Sequence, residues 1–144
     1  MAVNPLGYQN ITDGGTPRII TGYAKEVISG GQLVGASGAA GVVTSGTSSF
    51  ATSDIEFFHT TGSGNFVGVA LHDVASGAAM SVATRGSFLL EVSGAMVEAG
   101  TLVTCNATDE IIAGSNAGLS VTGHIGRAWT TGSEADFVVV DIHG

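Results

Sequence analysis

The chain has 144 residues, of which Gly, Ala, Ser and Thr make up 70; with a single cysteine, Cys105, it cannot be an internally disulfide-stapled fold. One domain is the expectation at this length. Four Lys and Arg stand against 12 Asp and Glu, a net charge of −8, so too few cations are present to line a nucleic-acid or anionic-membrane surface.

Residues 1–17 differ from the rest. Both prolines, Pro5 and Pro17, lie there, and the turn signal Asp13-Gly14-Gly15 closes the segment. Leu6, Tyr8 and Ile11 are spaced apolar residues without a strand's flanking turns. Two readings stand: a frayed terminus, or an arm that docks on a neighbour. The expected organisation is an arm over 1–17 and one β-rich domain over 18–144. The start of the chain lacks the basic residues and apolar core of a signal peptide, and no apolar run has the length of a membrane helix.

From residue 18 onward glycine recurs too often for helices, each one costing about 1 kcal/mol in a helix interior. β-Branched residues dominate the apolar set and favour strands. Strands are expected at Arg18–Ile20, Ala24–Ile28, Gly41–Thr44, Phe66–Leu71, Met80–Thr84 and Phe88–Val92. Further ones follow at Leu102–Asn106, Ile111–Ala113, His124–Trp129 and Asp136–Ile142. The exception is Ser53-Asp54-Ile55-Glu56-Phe57-Phe58, where Ser53 and Glu56 have capping-box spacing and a helical turn is as good a reading as a strand. As a strand, it would send Phe57 and Phe58 to opposite sides, one into the core and one outward or onto a partner. The other reading buries both under a loop.

An internal repeat is the most informative pattern. Ile28-Ser29-Gly30-Gly31-Gln32-Leu33-Val34 matches Val97-Glu98-Ala99-Gly100-Thr101-Leu102-Val103, and Val67-Gly68-Val69-Ala70-Leu71 matches Ile125-Gly126-Arg127-Ala128-Trp129. The offset falls from 69 to 58, placing about eleven extra residues in the first half. Gly31 and Gly100 suit a tight turn of positive φ that feeds Leu and Val into the core. Gly68 and Gly126 suit a close backbone approach beneath a large residue. The expected fold is all-β, a compact barrel or sandwich built from two similar β-units.

No catalytic centre can be assembled. Cys105 lies in a strand pattern and reads as a small buried hydrophobe. No Gly-x-Ser-x-Gly elbow occurs. His59, His72, His124 and His143 lack metal-ligand spacing. Asp141 and His143 share a strand face, Glu56 and His59 would share one only on a helix, and His72-Asp73 sits in a turn. Gly35–Gly41 is glycine-rich but lacks the ending of a phosphate loop, and Asp109-Glu110 reads as an exposed turn pair. No enzyme activity, metal or cofactor is expected. Trp129 is a core or interface anchor. Only 11% of residues are charged, against about 25% in ordinary soluble domains. That balance favours a surface covered by sister subunits or by a docked protein.

These residues carry a family resemblance. The series Val67-Gly68-Val69-Ala70-Leu71, Gly77, Val82-Ala83-Thr84-Arg85-Gly86, Ala99-Gly100-Thr101-Leu102-Val103, Ile125-Gly126-Arg127-Ala128 and Phe137-Val138-Val139-Val140 resembles the capsid cement (head decoration) family of tailed bacteriophages. That family is similar in role to the lambda head decoration protein. The resemblance implies a β-tulip or β-clip-like domain with an extended N-terminal arm. It implies a homotrimer on the outer surface of the icosahedral head, assembled in the host cytoplasm, whose partner is the major capsid protein. By location, Leu6, Tyr8 and Ile11 are the capsid-contact candidates; Phe57, Phe58 and Trp129 are the subunit-interface candidates. The competing reading is another structural or binding module, such as a tail-fibre or cell-surface adhesin domain.

Overall fold

A computed structural model describes residues 18–36, 55–59, 65–105, 110–113 and 124–143. Among them, short β-branched and aromatic runs between glycine turns form ten strands. These are β1 (Ile19–Ala24), β2 (Leu33–Ala36), β3 (Glu56–His59), β4 (Phe66–Ala70), β5 (Ala79–Ala83), β6 (Arg85–Glu91), β7 (Leu102–Cys105), β8 (Ile111–Ala113), β9 (Gly126–Ala128) and β10 (Phe137–His143). The fold is all-β, as expected.

The first five strands close into a barrel in the order β1-β3-β2-β4-β5, with β5 pairing back onto β1. The last five form a second sheet in the order β6-β10-β9-β7-β8. The two orders are the same: β1, β5, β4, β2 and β3 follow one another as β6, β10, β9, β7 and β8 do. A parallel bridge from Val92 to Ile111 joins the edges of the second sheet, where β1 and β3 pair in parallel in the first.

Backbone hydrogen bonds confirm the repeat position by position. Gly31 N–H donates to Ala70 O at 2.8 Å, and Gly100 N–H donates to Ala128 O at 2.7 Å. Ile28 and Val74 exchange two bonds, as Val97 and Gly132 do. Leu71 N–H donates to Ser81 O, and Trp129 N–H to Val139 O. Gly31 and Gly100 have φ of 88° and 86°, the left-handed region that glycine enters without steric cost. A Cβ on Gly68 would strike the carbonyl of Ala83, and one on Gly126 the carbonyl of Asp141. The crowding comes from the backbone of the next strand, the close approach that the sequence pattern suggested.

Each unit buries a matched interior. Ala24, Ile28, Val34, Phe57, Ala70, Val74, Met80 and Val82 form the barrel core. Val92, Val97, Val103, Ile111, Ala128, Val138 and Val140 stand at corresponding places in the second unit. Gly132 replaces Val74, because a side chain there would meet Val138. Leu33, Val69 and Ala83 of the first unit belong to the second unit's apolar cluster, so the units pack together. One residue, Thr84, separates β5 from β6, and its N–H donates to Arg18 O at 2.8 Å.

One open reading is decided and two expectations change. Residues 56–59 form a strand, not a helical turn, because Glu56 and Phe57 pair with β1 while Phe57, Phe58 and His59 pair with β2. Ala24–Ile28 is not one strand: β1 ends at Ala24, and Ile28 makes only an isolated bridge. Leu33–Ala36, absent from the expected strands, forms β2. The expected strand Gly41–Thr44 lies outside the described residues.

Candidate functional site

The residues with catalytic or ligand chemistry are engaged in holding turns. His72 Nε2 accepts the N–H of Ser81 at 3.0 Å, and Asp73 Oδ1 accepts the N–H of Gly30 at 2.8 Å. In the second unit the corresponding Thr130 and Thr131 hydroxyls accept from Val139 N–H and Ala99 N–H, at 2.9 and 3.0 Å. An imidazole and a carboxylate thus do the same work as two hydroxyls. This pair pins the segment before β5, and its counterpart the segment before β10.

His59 was expected to share a face with Glu56 only on a helix. On β3 its ring instead contacts Glu26, with Nδ1 2.9 Å from the carboxylate, and Gln32, with Nε2 2.8 Å from the side-chain oxygen. Glu26 also accepts the His59 N–H at 2.8 Å. The sequence held no local sign of this cluster, since Glu26 and Gln32 reach His59 through strand pairing. Cys105 is buried, as expected. Asp141 and His143 both lie on β10. Glu110 is half-buried, where an exposed turn was expected, because it directly precedes the paired strand β8. Gly35 is part of β2, and residues 37–41 and Asp109 lie outside the described residues. Among the described residues no group of three His, Cys, Asp or Glu side chains is placed to hold a metal ion.

Among the described residues the exposed cations stand singly at Arg18, Lys25, Arg85 and Arg127, and the exposed carboxylates are Glu26, Asp73, Glu98, Glu134 and Asp136. Four large apolar residues are exposed among the described ones: Ile19 at 45%, Val27 at 68%, Met96 at 51% and Trp129 at 53%. Val27 and Met96 occupy the same place in the repeat, one residue before Ile28 and Val97. Sequence reading passed over them, although two adjacent apolar residues before a glycine turn leave one with no room inside. Phe57 is fully buried in the barrel, so its own chain accounts for it. Phe58, on the other side of β3, is half-buried. Leu6, Tyr8 and Ile11 lie outside the described residues.

The polar side chains of the two packed β-units thus hold turns and backbone positions. The profile of the phage cement protein family matches residues 14–142. The chain belongs to that family. This phage cement protein also shares its fold with a solved structure, the head fiber gp8.5 N base in bacteriophage phi29. The TM-score is 0.57 at 17% identity, covering 88% of this chain and 94% of that one. A search of curated proteins returns no match. Membership of the cement family supports a decoration role on the phage capsid, as a structural component of the virion.

Proposed function

We propose that the protein binds the outer surface of an icosahedral phage head as a homotrimer and stabilises contacts between major capsid subunits. The observation that carries this reading is the family match over residues 14–142. The two packed units support it physically. A body with little internal slack holds several contact points at fixed spacing, and three copies joined together gain avidity of about 10²–10⁴ when geometry allows simultaneous engagement. An acidic exterior also keeps the protein off nucleic acid.

In this reading the arm over 1–17 reaches the shell through Leu6, Tyr8 and Ile11, and subunits meet through Phe58 and Trp129. The domain over 18–144 is the body that the arm anchors, and assembly takes place in the host cytoplasm. The role is mechanical, with no reaction catalysed. The test is to mix the purified chain with expanded heads that lack it and to image them by cryo-EM. Added threefold density over the junctions of capsid subunits is the expected result; bare shells at saturating protein would overturn the reading.

A further inference from the structure

His72 and Thr130 hold the same ladder position by different chemistry. β4 ends at Ala70, opposite Val82, so Ser81 lies beyond the last paired residue. The Ser81 carbonyl accepts from Leu71 N–H at 3.1 Å, and its N–H donates to His72 Nε2 at 3.0 Å. The matching N–H, that of Val139, donates to the Thr130 hydroxyl at 2.9 Å.

A ring nitrogen that accepts a backbone N–H carries no proton of its own. The neutral ring of His72 therefore keeps its proton on Nδ1, which lies 3.1 Å from Asp73 O and donates to it. A second proton has only Nε2 to go to, where it meets the Ser81 N–H. Imidazolium has two donors and no acceptor, so protonation and the Ser81 bond exclude one another. A threonine hydroxyl has no such conflict, because it does not titrate in this range.

The groups around the ring do not hold a second proton in place. β5 presents Ser81, with Thr21 of β1 opposite it, and neither carries a charge. The neighbouring carboxylate, Asp73, is turned to Gly30 N–H. Among the described residues the histidine with a carboxylate within 4 Å is His59, not His72. His59 is poised the other way. Its Nδ1 faces Glu26 Oε1, and its Nε2 faces Gln32 Oε1, an oxygen that also accepts Ser29 N–H at 2.7 Å. A proton added at His59 finds an acceptor; at His72 it displaces a donor. The turn from Ser29 to Gln32 lies between the two rings, bonded to Asp73 and to His59. The second unit has Ala113 in the place of His59 and Thr130 in that of His72, so it has neither group.

We propose that the first unit carries an acid-released latch: protonation of His72 frees the Ser81 N–H and loosens the segment before β5, while the second unit, latched by Thr130 and Thr131, keeps its hold. The latched state binds one proton fewer than the open one, so the latch weakens as pH falls through the histidine range. Loss of one bond of this kind corresponds to roughly a fivefold rise in local opening. The device is independent of how the protein attaches to a head, because its parts all lie within the first unit.

Amide hydrogen exchange of the isotope-labelled full chain, followed by NMR, compares Ser81 with Val139 from about pH 7.5 to about pH 5. The quantity read is the protection factor, which removes the intrinsic pH dependence of exchange. Protection at Ser81 is expected to fall about fivefold across that range, and protection at Val139 to stay level. Nitrogen shifts of the His72 ring are expected to show a proton on Nδ1 and a bare Nε2 at the upper pH. His72→Gln and His72→Thr each supply an acceptor that does not titrate, and Ser81 is expected to lose its pH response in both, with circular dichroism verifying folding. His59→Gln is expected to leave the Ser81 response in place. Equal falls at Ser81 and Val139 would overturn the latch, since both units would then loosen together. No change at Ser81, or a His72 ring with its proton on Nε2 at the upper pH, would overturn it as well. A response kept in His72→Gln and lost in His59→Gln would place the sensitivity at His59 and overturn the assignment to His72.

Discussion

Ala135 occupies in the second unit the place of Gly77 in the first, and both have left-handed backbones, with φ of 67° and 81°. Their N–H groups donate to matched carbonyls, Gly77 to Ala24 and Ala135 to Val92. For an L-residue that conformation costs about 1–2 kcal/mol, partly offset by the lower entropy of alanine in the unfolded chain. The second unit adds support that the first lacks: Asp136 Oδ2 accepts the N–H of Ser133 at 2.8 Å across the turn. Ala135→Gly is expected to stabilise the protein by about 0.5 kcal/mol, and Gly77→Ala to destabilise it by about 1 kcal/mol. Nothing lies within 4 Å of a Cβ at Gly77, so the loss would be strain alone. Urea unfolding midpoints of the two variants check the opposite signs.

Gly68 and Gly126 are glycine for a different reason, the nearness of the next strand's carbonyl. Alanine at either position has to push β4 from β5, or β9 from β10. Each substitution is expected to cost about 1–3 kcal/mol or more, by the usual penalty for overpacking. Thermal melts of Gly68→Ala and Gly126→Ala should fall together; a melt unchanged from wild type would contradict the close packing.

His72 and Thr130 accept hydrogen bonds from corresponding backbone groups. Replacing either by alanine is expected to lose about 1 kcal/mol, the usual net worth of one such bond. His72→Thr is expected to lose less than His72→Ala, since a hydroxyl does this work in the second unit. Chemical denaturation of the three variants checks the order. Shell binding by folded His72→Ala is expected to match wild type.

Cys105 ends β7 inside the second unit's core. A buried thiol is slow to react because reagents and the thiolate form are both excluded. Alkylation is expected to be negligible in buffer and complete in denaturant, with mass spectrometry as the readout. Rapid labelling of the native protein would place this end of β7 in water.

Deletion of residues 1–17 is expected to leave the β-sheet circular dichroism signal intact and to weaken binding to expanded heads. Co-sedimentation with the shells provides the measure. Loss of the folded signal would make the segment part of the domain's own architecture.

The repeat was readable because backbone geometry demanded it. Gly31 and Gly100 need a positive φ, and Gly68 and Gly126 need space, so the same letter recurs whatever surrounds it. The match of β1 to β6 left no such trace. Gly22 stands where Leu90 does, and the two strands are aligned by the hydrogen bonds of Ala24 and Val92 and by their registers on β5 and β10. β3 was ambiguous for a related reason. Ser53 and Glu56 carry a local helix-start pattern, while the pairing that makes a strand comes from β1 and β2, distant in sequence. At the surface, Trp129 could be singled out by its chemistry, but its exposure depends on which unit it belongs to. Its counterpart Leu71 is half-buried against the apolar cluster shared by the two units, and no local pattern distinguishes the two.

With only Thr84 between β5 and β6, the joint has no slack. A load applied to one unit passes directly along a strand into the other, so the pair cannot stretch at its waist without first pulling residues out of a sheet. In the role proposed above, that stiffness would let the pair brace a shell, and it comes from the omission of a linker.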